Sequence, residues 1–261
     1  MHGHTGAMPS IPYSHNASLW LLVAAVFTLA GVVKGVIGLG LPTLSMALLA
    51  LWMPPAEAAA LLIVPSLVTN VWQLRPWPTV GPIARRLGAM QLGIVGGTFA
   101  GAWWLGAPHG VWPVVALGLA LTAYAAWGLT GRTLHAPPQS EHWLGPLTGA
   151  VTGALTAVTG VFVLPAVVYL QALGLSRDAL VQAMGLSFTV STVALGLALA
   201  GQNAFSTPLA AASIAMLIPT MLGMAAGQRI RSLLSLVLFR RCFFAGLAML
   251  GIYMVMRELQ R

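Results

Sequence analysis

Lys34 is the residue with the clearest potential for chemistry, because it is the only charged residue well inside an apolar run of the sequence. A cation at the centre of a bilayer costs about 2.5 to 3.5 kcal/mol on insertion scales. Such a residue needs either a function or a route to water. Its ammonium group could supply the counter-charge for an anion, or its aliphatic stem could let the ammonium reach the membrane interface. The sequence leaves both interpretations open.

Two segments that contain glycine and proline stand within the longest apolar runs, at residues 38–42 (GLGLP) and 160–165 (GVFVLP). Gly and Pro interrupt a helix, and irregular backbone at membrane depth is tolerated only where protein or a watery cavity satisfies it. Pro42 and Pro165 suit the first position of a second half-helix, whose free N–H groups would face an anion. Discontinuous helices bind substrate in transporters built from repeats. In the alternative interpretation, the glycines only permit close helix packing.

Hydroxyl and amide side chains lie near the breaks and on the apolar elements that follow them. Together with the cation and the breaks, they form the predicted substrate-binding set: Lys34, Gly38, Gly40, Thr43, Ser66, Asn70, Gln91, Thr156, Thr159, Gly160, Ser187 and Ser191. Each hydroxyl or amide could instead bond its own helix backbone or a neighbouring helix.

No catalytic signature accompanies these residues, since the sequence has no nucleophile elbow, no zinc-binding HExxH helix and no P-loop lysine. We therefore predict that the protein is not an enzyme and needs no cofactor or metal in its membrane runs. His2, His4, Met8 and His15 of the N-terminal tail could bind copper or nickel outside the membrane. This alternative predicts a membrane-embedded partner or assembly factor linked to metal handling.

The elements that carry the candidate residues are membrane segments by composition. Hydrophobic residues make up 58% of the chain and charged residues 6%, whereas a soluble domain carries about 25% charged residues. Three stretches without charge, 87–131, 142–176 and 179–228, each exceed the roughly 20 residues that span a bilayer. The basic residues behind the net charge of +8 stand in short clusters between apolar runs. They form no basic stripe, so nucleic acid is not a predicted partner.

Proline, glycine and charged residues separate eight predicted apolar elements, at residues 18–53, 56–74, 82–105, 112–129, 145–173, 178–200, 207–227 and 239–257. We predict an extramembrane tail at 1–17, a first membrane repeat at 18–129, a linker at 130–144 and a second membrane repeat at 145–261. Shifting residues 82–101 by 126 positions onto 208–227 pairs identical residues at seven of twenty positions. This similarity indicates two copies of one four-element unit.

The placement of basic residues predicts that the two copies are inverted. Arginines precede the third element but follow the seventh, at Arg75, Arg85 and Arg86 and at Arg229, Arg231, Arg240 and Arg241. Because short cytoplasmic loops concentrate Lys and Arg, these two elements would cross the membrane in opposite directions. An inverted repeat needs an odd number of crossings per copy. The first and fifth elements, which carry the breaks, are therefore predicted to enter and leave on the same face as hairpins.

The run from Gly31 to Pro42, followed by residues 54–59 (PPAEAA) and a helix bearing Ser and Thr, resembles the first repeat of the TauE/SafE sulfite exporter family, the 4-toluene sulfonate uptake permease group. The segment 149–192, with residues 174–179 (GLSRDA) at its centre, is similar to that family's second repeat. The family's glycine breaks map onto Gly35, Gly38 and Gly40 and onto Gly153 and Gly160. Phe162 stands opposite Gly40, which departs from the family's pattern.

The resemblance implies a secondary transporter whose relatives are associated with sulfite, sulfonates, sulfoacetate and related anions. With the analysis of the residues it predicts an all-α polytopic membrane protein of two inverted repeats of four helical elements, the first element of each broken. We expect an exporter in the cytoplasmic (inner) membrane whose partners are a small anion and the lipid bilayer. The GxxxG pairs Gly97–Gly101 and Gly223–Gly227 predict tight helix contacts within one chain or between subunits of a homodimer.

Overall fold

The computed structural model describes residues 17–260 except 107, 109 and 133. This part of the chain is all helical and contains no strand. Its ten α-helices are α1 (Ala17–Ile37), α2 (Leu41–Leu49), α3 (Pro55–Trp72), α4 (Val80–Leu105), α5 (Val111–Thr130), α6 (Glu141–Thr159), α7 (Ala166–Ala172), α8 (Arg177–Gly201), α9 (Thr207–Ile230) and α10 (Leu236–Leu259). Short 3₁₀ turns, Trp77–Thr79 and Pro138–Ser140, precede α4 and α6. The predicted fold class, an all-α polytopic protein, is confirmed.

The eight elements expected from sequence become ten helices because the first and fifth each divide at the expected break. Gly38 and Gly40 lie between α1 and α2 with φ values of 77° and 105°, a backbone region that only glycine enters without strain. Gly160 ends α6 with φ 69°. Pro42 is the second residue of α2, after Leu41, so its prediction as the first helical residue was wrong by one position. Pro165 instead precedes α7 as its N-cap, so its prediction as the first helical residue was wrong by one position.

Both broken elements are hairpins that return to the face they started from. Leu19, Met53 and Leu209 line one small cavity, so α1 begins, the first hairpin ends and α9 begins on one face, called here the N-terminal face. At the opposite face, called here the linker face, the amide of Ala136 in the linker donates to the carbonyl of Ala172 at the end of α7, 2.9 Å away. Glu141 at the start of α6 pairs with Arg86 near the start of α4 on the same face.

Each hairpin packs against a helix from the other half of the sequence. Helix α1 lies along α9, and α6 lies along α4. A Cβ at Gly35 of α1 would stand 2.3 Å from the carbonyl oxygen of Met224 in α9, and a Cβ at Gly153 of α6 would stand 2.2 Å from that of Ile94 in α4. Such contacts are possible only between glycine and backbone, and they hold the paired helices at close range.

The two GxxxG pairs form part of these contacts. A Cβ at Gly97 would stand 2.1 Å from the carbonyl oxygen of Ala150 in α6, and one at Gly223 would stand 2.1 Å from that of Thr28 in α1. Gly101 and Gly227 continue the same faces against α6 and α1. The predicted tight helix contact is confirmed, and it lies within one chain.

Two antiparallel helix pairs join the halves at the centre. Gly196 of α8 lies beside Ile63 of α3, and Gly185 lies beside Gln73, so residue numbers run in opposite directions along the two helices. Helices α5 and α10 pair in the same manner, with Gly118 against Gly251 and Gly128 against Phe244. Helix α3 also packs against α9, and α4 against α8.

Pro65 lies within α3, where its ring removes the N–H that would bond the carbonyl of Leu61. The hydroxyl of Ser213 in α9 donates to this carbonyl at 2.8 Å and accepts from the amide of Val64 at 3.0 Å. A side chain of α9 thus satisfies the backbone that proline leaves open inside α3.

Six helices of the described part of the chain are long and apolar enough to cross a membrane: α1, α3, α5, α8, α9 and α10. Exposed tryptophans stand at both faces of the bundle, with Trp52, Trp103, Trp104 and Trp112 at the N-terminal face and Trp72, Trp77 and Trp143 at the linker face. Tryptophan is enriched where a membrane meets water. The chain is a multi-pass membrane protein.

Candidate functional site

Lys34 lies in the last turn of α1 and is only 4% exposed. Its Nζ donates to Oγ1 of Thr69 at 3.0 Å and to Oδ1 of Asn70, both on α3 and both fully buried. Nδ2 of Asn70 donates to Oγ1 of Thr192 on α8 at 3.4 Å. One chain of polar groups therefore joins α1, α3 and α8 inside the bundle. The ammonium is held there and does not extend to the interface.

The positive charge of Lys34 has no carboxylate partner among the described residues. Its two acceptors are a hydroxyl and an amide oxygen, whereas an ammonium group can donate three hydrogen bonds. The single ion pair within the described residues joins Arg86 to Glu141 at the linker face. A buried charge without a counter-charge is costly. An anion beside Lys34 would supply that counter-charge.

Lys34, Thr69, Asn70 and Thr192 form the Lys34 cluster. On α3 and α8, which carry three of these residues, two buried hydroxyls have no hydrogen-bond partner among the described residues. They are Oγ of Ser66 on α3 and Oγ of Ser191 on α8. Ser66 precedes Asn70 by four residues and so lies one turn away on the same face of α3. Ser191 is adjacent to Thr192 in the chain. Each of these hydroxyls can donate a hydrogen bond, as the ammonium of Lys34 can.

The tip of the first hairpin is fixed to α3 by a residue that the sequence analysis did not identify. Nε2 of Gln73 donates to the carbonyl of Gly38 at 2.8 Å, while its buried Oε1 has no partner. The hydroxyl of Thr43, a predicted site residue, donates to the carbonyl of Gly40 at 3.0 Å and so bonds locally. Gln73 holds the break, and with it the end of α1 that carries Lys34.

The second hairpin presents an apolar tip. Thr156 and Thr159 donate to carbonyls of their own helix, those of Thr152 and Leu155. Gly160 packs against Met46 of α2 and Ala59 of α3. Phe162 is fully buried and its ring centroid lies 5.2 Å from that of Phe188 on α8. The two breaks therefore differ: the first stands beside a cation and the second beside an aromatic pair.

Gln91 and Ser187, both predicted site residues, contact each other across α4 and α8. Nε2 of Gln91 donates to Oγ of Ser187 at 3.0 Å, and Oε1 of Gln91 is buried without a partner. Ser187 precedes Ser191 by four residues, one turn along α8. Ser191 therefore shares a face of α8 with Ser187, the partner of Gln91.

Gln182, a second residue that the sequence analysis did not identify, binds the connection between α3 and α4 to α8. Its Nε2 donates to the carbonyls of Leu74 and Pro76 at 3.1 and 2.9 Å, and its Oε1 accepts from Thr79 at 2.9 Å. A glutamine in an otherwise apolar helix is the only signal that the sequence offers for it.

The structure thus bonds Lys34 to Asn70 and Gln91 to Ser187. Ser66 lies one turn from Asn70 on α3, and Ser191 one turn from Ser187 on α8. Thr43, Thr156 and Thr159 bond their own backbone, and Gly38, Gly40 and Gly160 shape the breaks. The roles of these residues in binding stay predictions. The tail residues of the metal hypothesis lie outside the described residues, and within the described part no group of three or more His, Cys, Asp or Glu side chains could hold a metal ion.

Comparison with known proteins gives one match. The sequence model of the family described as "Sulfite exporter TauE/SafE" matches residues 23–254. No curated protein and no solved structure matches the chain significantly. The matched range contains both breaks and every residue of the Lys34 cluster.

Proposed function

Because the chain belongs to the TauE/SafE sulfite exporter family, whose model covers residues 23–254, we propose that it is a secondary transporter that exports small sulfur-containing anions such as sulfite, sulfonates or sulfoacetate. The observation that carries this proposal is the buried ammonium of Lys34, which has only neutral acceptors. A sulfur oxyanion would supply the missing negative charge and accept hydrogen bonds from Ser66 and Ser191.

Export of an anion follows the membrane potential of a bacterial-type cell. The potential, negative inside, favours outward movement of an anion by about 2.3 kcal/mol per charge per 100 mV. A secondary exporter for such a substrate therefore needs a site and alternating access, and no nucleotide.

The distribution of arginine supports an orientation in which the linker face is cytoplasmic. Nine arginines lie at helix ends or connections on that face: Arg75, Arg85, Arg86, Arg132, Arg177, Arg229, Arg231, Arg240 and Arg241. Arg257 lies at the N-terminal face, where it donates to the carbonyl of Leu51 at 3.1 Å. By the positive-inside rule, the N-terminal face would be outside and the membrane would be the cytoplasmic one.

In this orientation the two repeats are inverted. The hairpin α1–α2 enters and leaves on the outer face, and the hairpin α6–α7 enters and leaves on the inner face. Three crossings follow in each repeat, α3 to α5 and α8 to α10. Each hairpin packs against a helix of the other repeat: α1 packs on α9, and its counterpart α6 packs on α4. This correspondence supports the inverted arrangement.

The moving bodies of the transport cycle would then be composed of both repeats. Glycine contacts bind α1 to α9 and α6 to α4 with backbone against backbone, and such contacts cannot slide without separating. Helix α3 packs on α9, and α8 packs on α4. One body would contain α1, α2, α3 and α9, the other α4, α6, α7 and α8. The Lys34 cluster lies where α3 of one body meets α8 of the other.

Flux of radiolabelled sulfite into proteoliposomes tests the function. We expect saturable flux that falls by at least about tenfold in Lys34→Met, which keeps the length of the side chain and removes the charge that binds the anion. Arg229→Gln, which removes an exposed charge at the linker face, should transport normally. Absence of saturable flux for every small sulfur anion would contradict the proposed function.

A further inference from the structure

The buried polar residues of the described chain contain a single charge. They comprise Lys34 and otherwise serine, threonine, asparagine and glutamine side chains. The groups nearest to Lys34 in the site, Thr69, Asn70 and Thr192, are neutral. The site therefore carries one positive charge to set against a substrate.

The second hairpin adds no further cation. The shift of 122 residues that aligns Gly31 with Gly153 and Gly38 with Gly160 places Thr156 opposite Lys34. Thr156 is fully buried, and its hydroxyl donates to the carbonyl of Thr152. The two hairpins are alike in backbone and differ by one unit of charge at this position.

Two further buried atoms without hydrogen-bond partners are amide oxygens, which would repel additional negative charge. Oε1 of Gln73 and Oε1 of Gln91 are buried acceptors without donors. Both carry partial negative charge. The hydroxyls of Ser66 and Ser191 can donate to an oxyanion, but a hydroxyl dipole does not neutralise a full charge in a medium of low polarisability.

We propose that the Lys34 site selects anions by valence: it accepts a substrate with one negative charge, such as a sulfonate or a singly protonated sulfur oxyanion, and rejects dianions. Sulfoacetate, whose sulfonate and carboxylate are both ionised at neutral pH, is thereby excluded from the substrates proposed above. The inference rests on the proposed transport function and adds the charge state of the substrate to it. A monoanion beside Lys34 leaves the bundle interior neutral. A dianion leaves one buried negative charge without a partner, which is the costly state that protein interiors avoid.

Methanesulfonate and sulfate provide a matched pair of probes, because both are tetrahedral at sulfur and their charges stay fixed around neutral pH. We expect methanesulfonate to enter proteoliposomes, or to compete with labelled sulfite, more than about tenfold better than sulfate. Equal transport of the two would overturn the valence inference and leave the proposed function intact. Transport of neither probe and no flux of sulfite would remove the proposed function, and the valence inference with it.

A second cation tests the same inference by gain of function. Thr156→Lys places an ammonium on the second hairpin at the position that aligns with Lys34, and we expect it to raise the ratio of sulfate to methanesulfonate transport by about tenfold or more. Thr156→Met, of similar length and without charge, separates the effect of charge from that of size. An unchanged ratio in a Thr156→Lys protein that retains methanesulfonate flux would contradict the role of charge. If Thr156→Lys does not fold, the ratio measured on the unmodified protein decides the question.

Discussion

Nζ of Lys34 donates hydrogen bonds to Oγ1 of Thr69 and Oδ1 of Asn70. Neutral groups thus hold a buried cation in place, where an anion could bind to it. The buried hydroxyls of Ser66 and Ser191, on α3 and α8, bond no group among the described residues. An unpartnered buried hydroxyl lowers the stability of a protein, and its retention is explained if a ligand uses it. At the scale of single residues, the site is therefore recognisable by a buried cation without a counter-charge and by buried hydroxyls without hydrogen-bond partners.

Removal of these hydroxyls should separate binding from folding. We expect Ser66→Ala and Ser191→Ala to raise the KM for sulfite while leaving the free energy of unfolding unchanged or higher, because each substitution removes an unsatisfied buried group. Flux at several substrate concentrations and thermal unfolding in detergent measure the two quantities.

Ser213 is the matched control, since its hydroxyl contacts Leu61 and Val64 and has both partners. Ser213→Ala should lower the free energy of unfolding by about 1 to 3 kcal/mol. Equal destabilisation in all three variants would mean that Ser66 and Ser191 are structural residues.

At the scale of elements, the hairpins are defined by their breaks and positioned by glycine. The breaks could be predicted because Gly38, Gly40 and Gly160 are followed closely by Pro42 or Pro165, and glycine together with proline interrupts a helix. The helix against which each hairpin packs could not, because periodicity describes which face is apolar and not its partner. Gln73 escaped prediction for the same reason, since its acceptor is a carbonyl that becomes free only when the break of the first hairpin meets α3.

The glycine faces make a prediction about stability. Gly35→Ala would bring a Cβ to 2.3 Å from the carbonyl oxygen of Met224, so we expect α1 and α9 to separate and the free energy of unfolding to fall by about 1 to 3 kcal/mol. A Cβ at Gly96, also within a helix, meets no atom within 4 Å. Gly96→Ala should therefore raise stability by up to about 1 kcal/mol through helix propensity alone. Comparable losses in both variants would contradict the packing argument.

Movement between the two proposed bodies can be tested with a disulfide. A Cβ at Gly196 would lie 3.4 Å from Cγ2 of Ile63, so the two positions are in contact and Ile63→Cys with Gly196→Cys form a candidate disulfide pair. In a Cys242→Ser background, oxidation should link α3 to α8 and abolish most of the sulfite flux, and a reductant should restore it. Full flux in the oxidised, fully crosslinked protein would show that α3 and α8 do not move apart.

At the scale of the whole molecule, charge and aromatic residues define the faces of the bundle. Tryptophans stand at both ends, while arginine concentrates at the linker face. The sequence alone predicted helices, breaks and the side of the basic clusters, because these depend on composition and local pattern. Thr43, Thr156 and Thr159 illustrate its limit: their hydroxyls bond nearby carbonyls, which no residue type reveals in advance.

Orientation is tested by labelling cysteines from one side. In a Cys242→Ser background, Arg85→Cys and Arg231→Cys should both be protected from an impermeant maleimide in intact cells and react after permeabilisation, because basic connections stay cytoplasmic. Asn203→Cys, in the connection between α8 and α9 at the N-terminal face, should react in intact cells. Labelling of Arg85→Cys and Arg231→Cys from different sides would refute the inverted arrangement.

The packing of each hairpin against a helix of the other repeat also has a consequence for biosynthesis. Helix α1 leaves the ribosome early, yet its glycine face fits only α9, which is among the last helices to be translated. The nascent first repeat must therefore remain in the membrane with this face uncovered until α9 has been inserted. Maturation of either half depends on synthesis of the other, so neither repeat is expected to assemble as an independent unit.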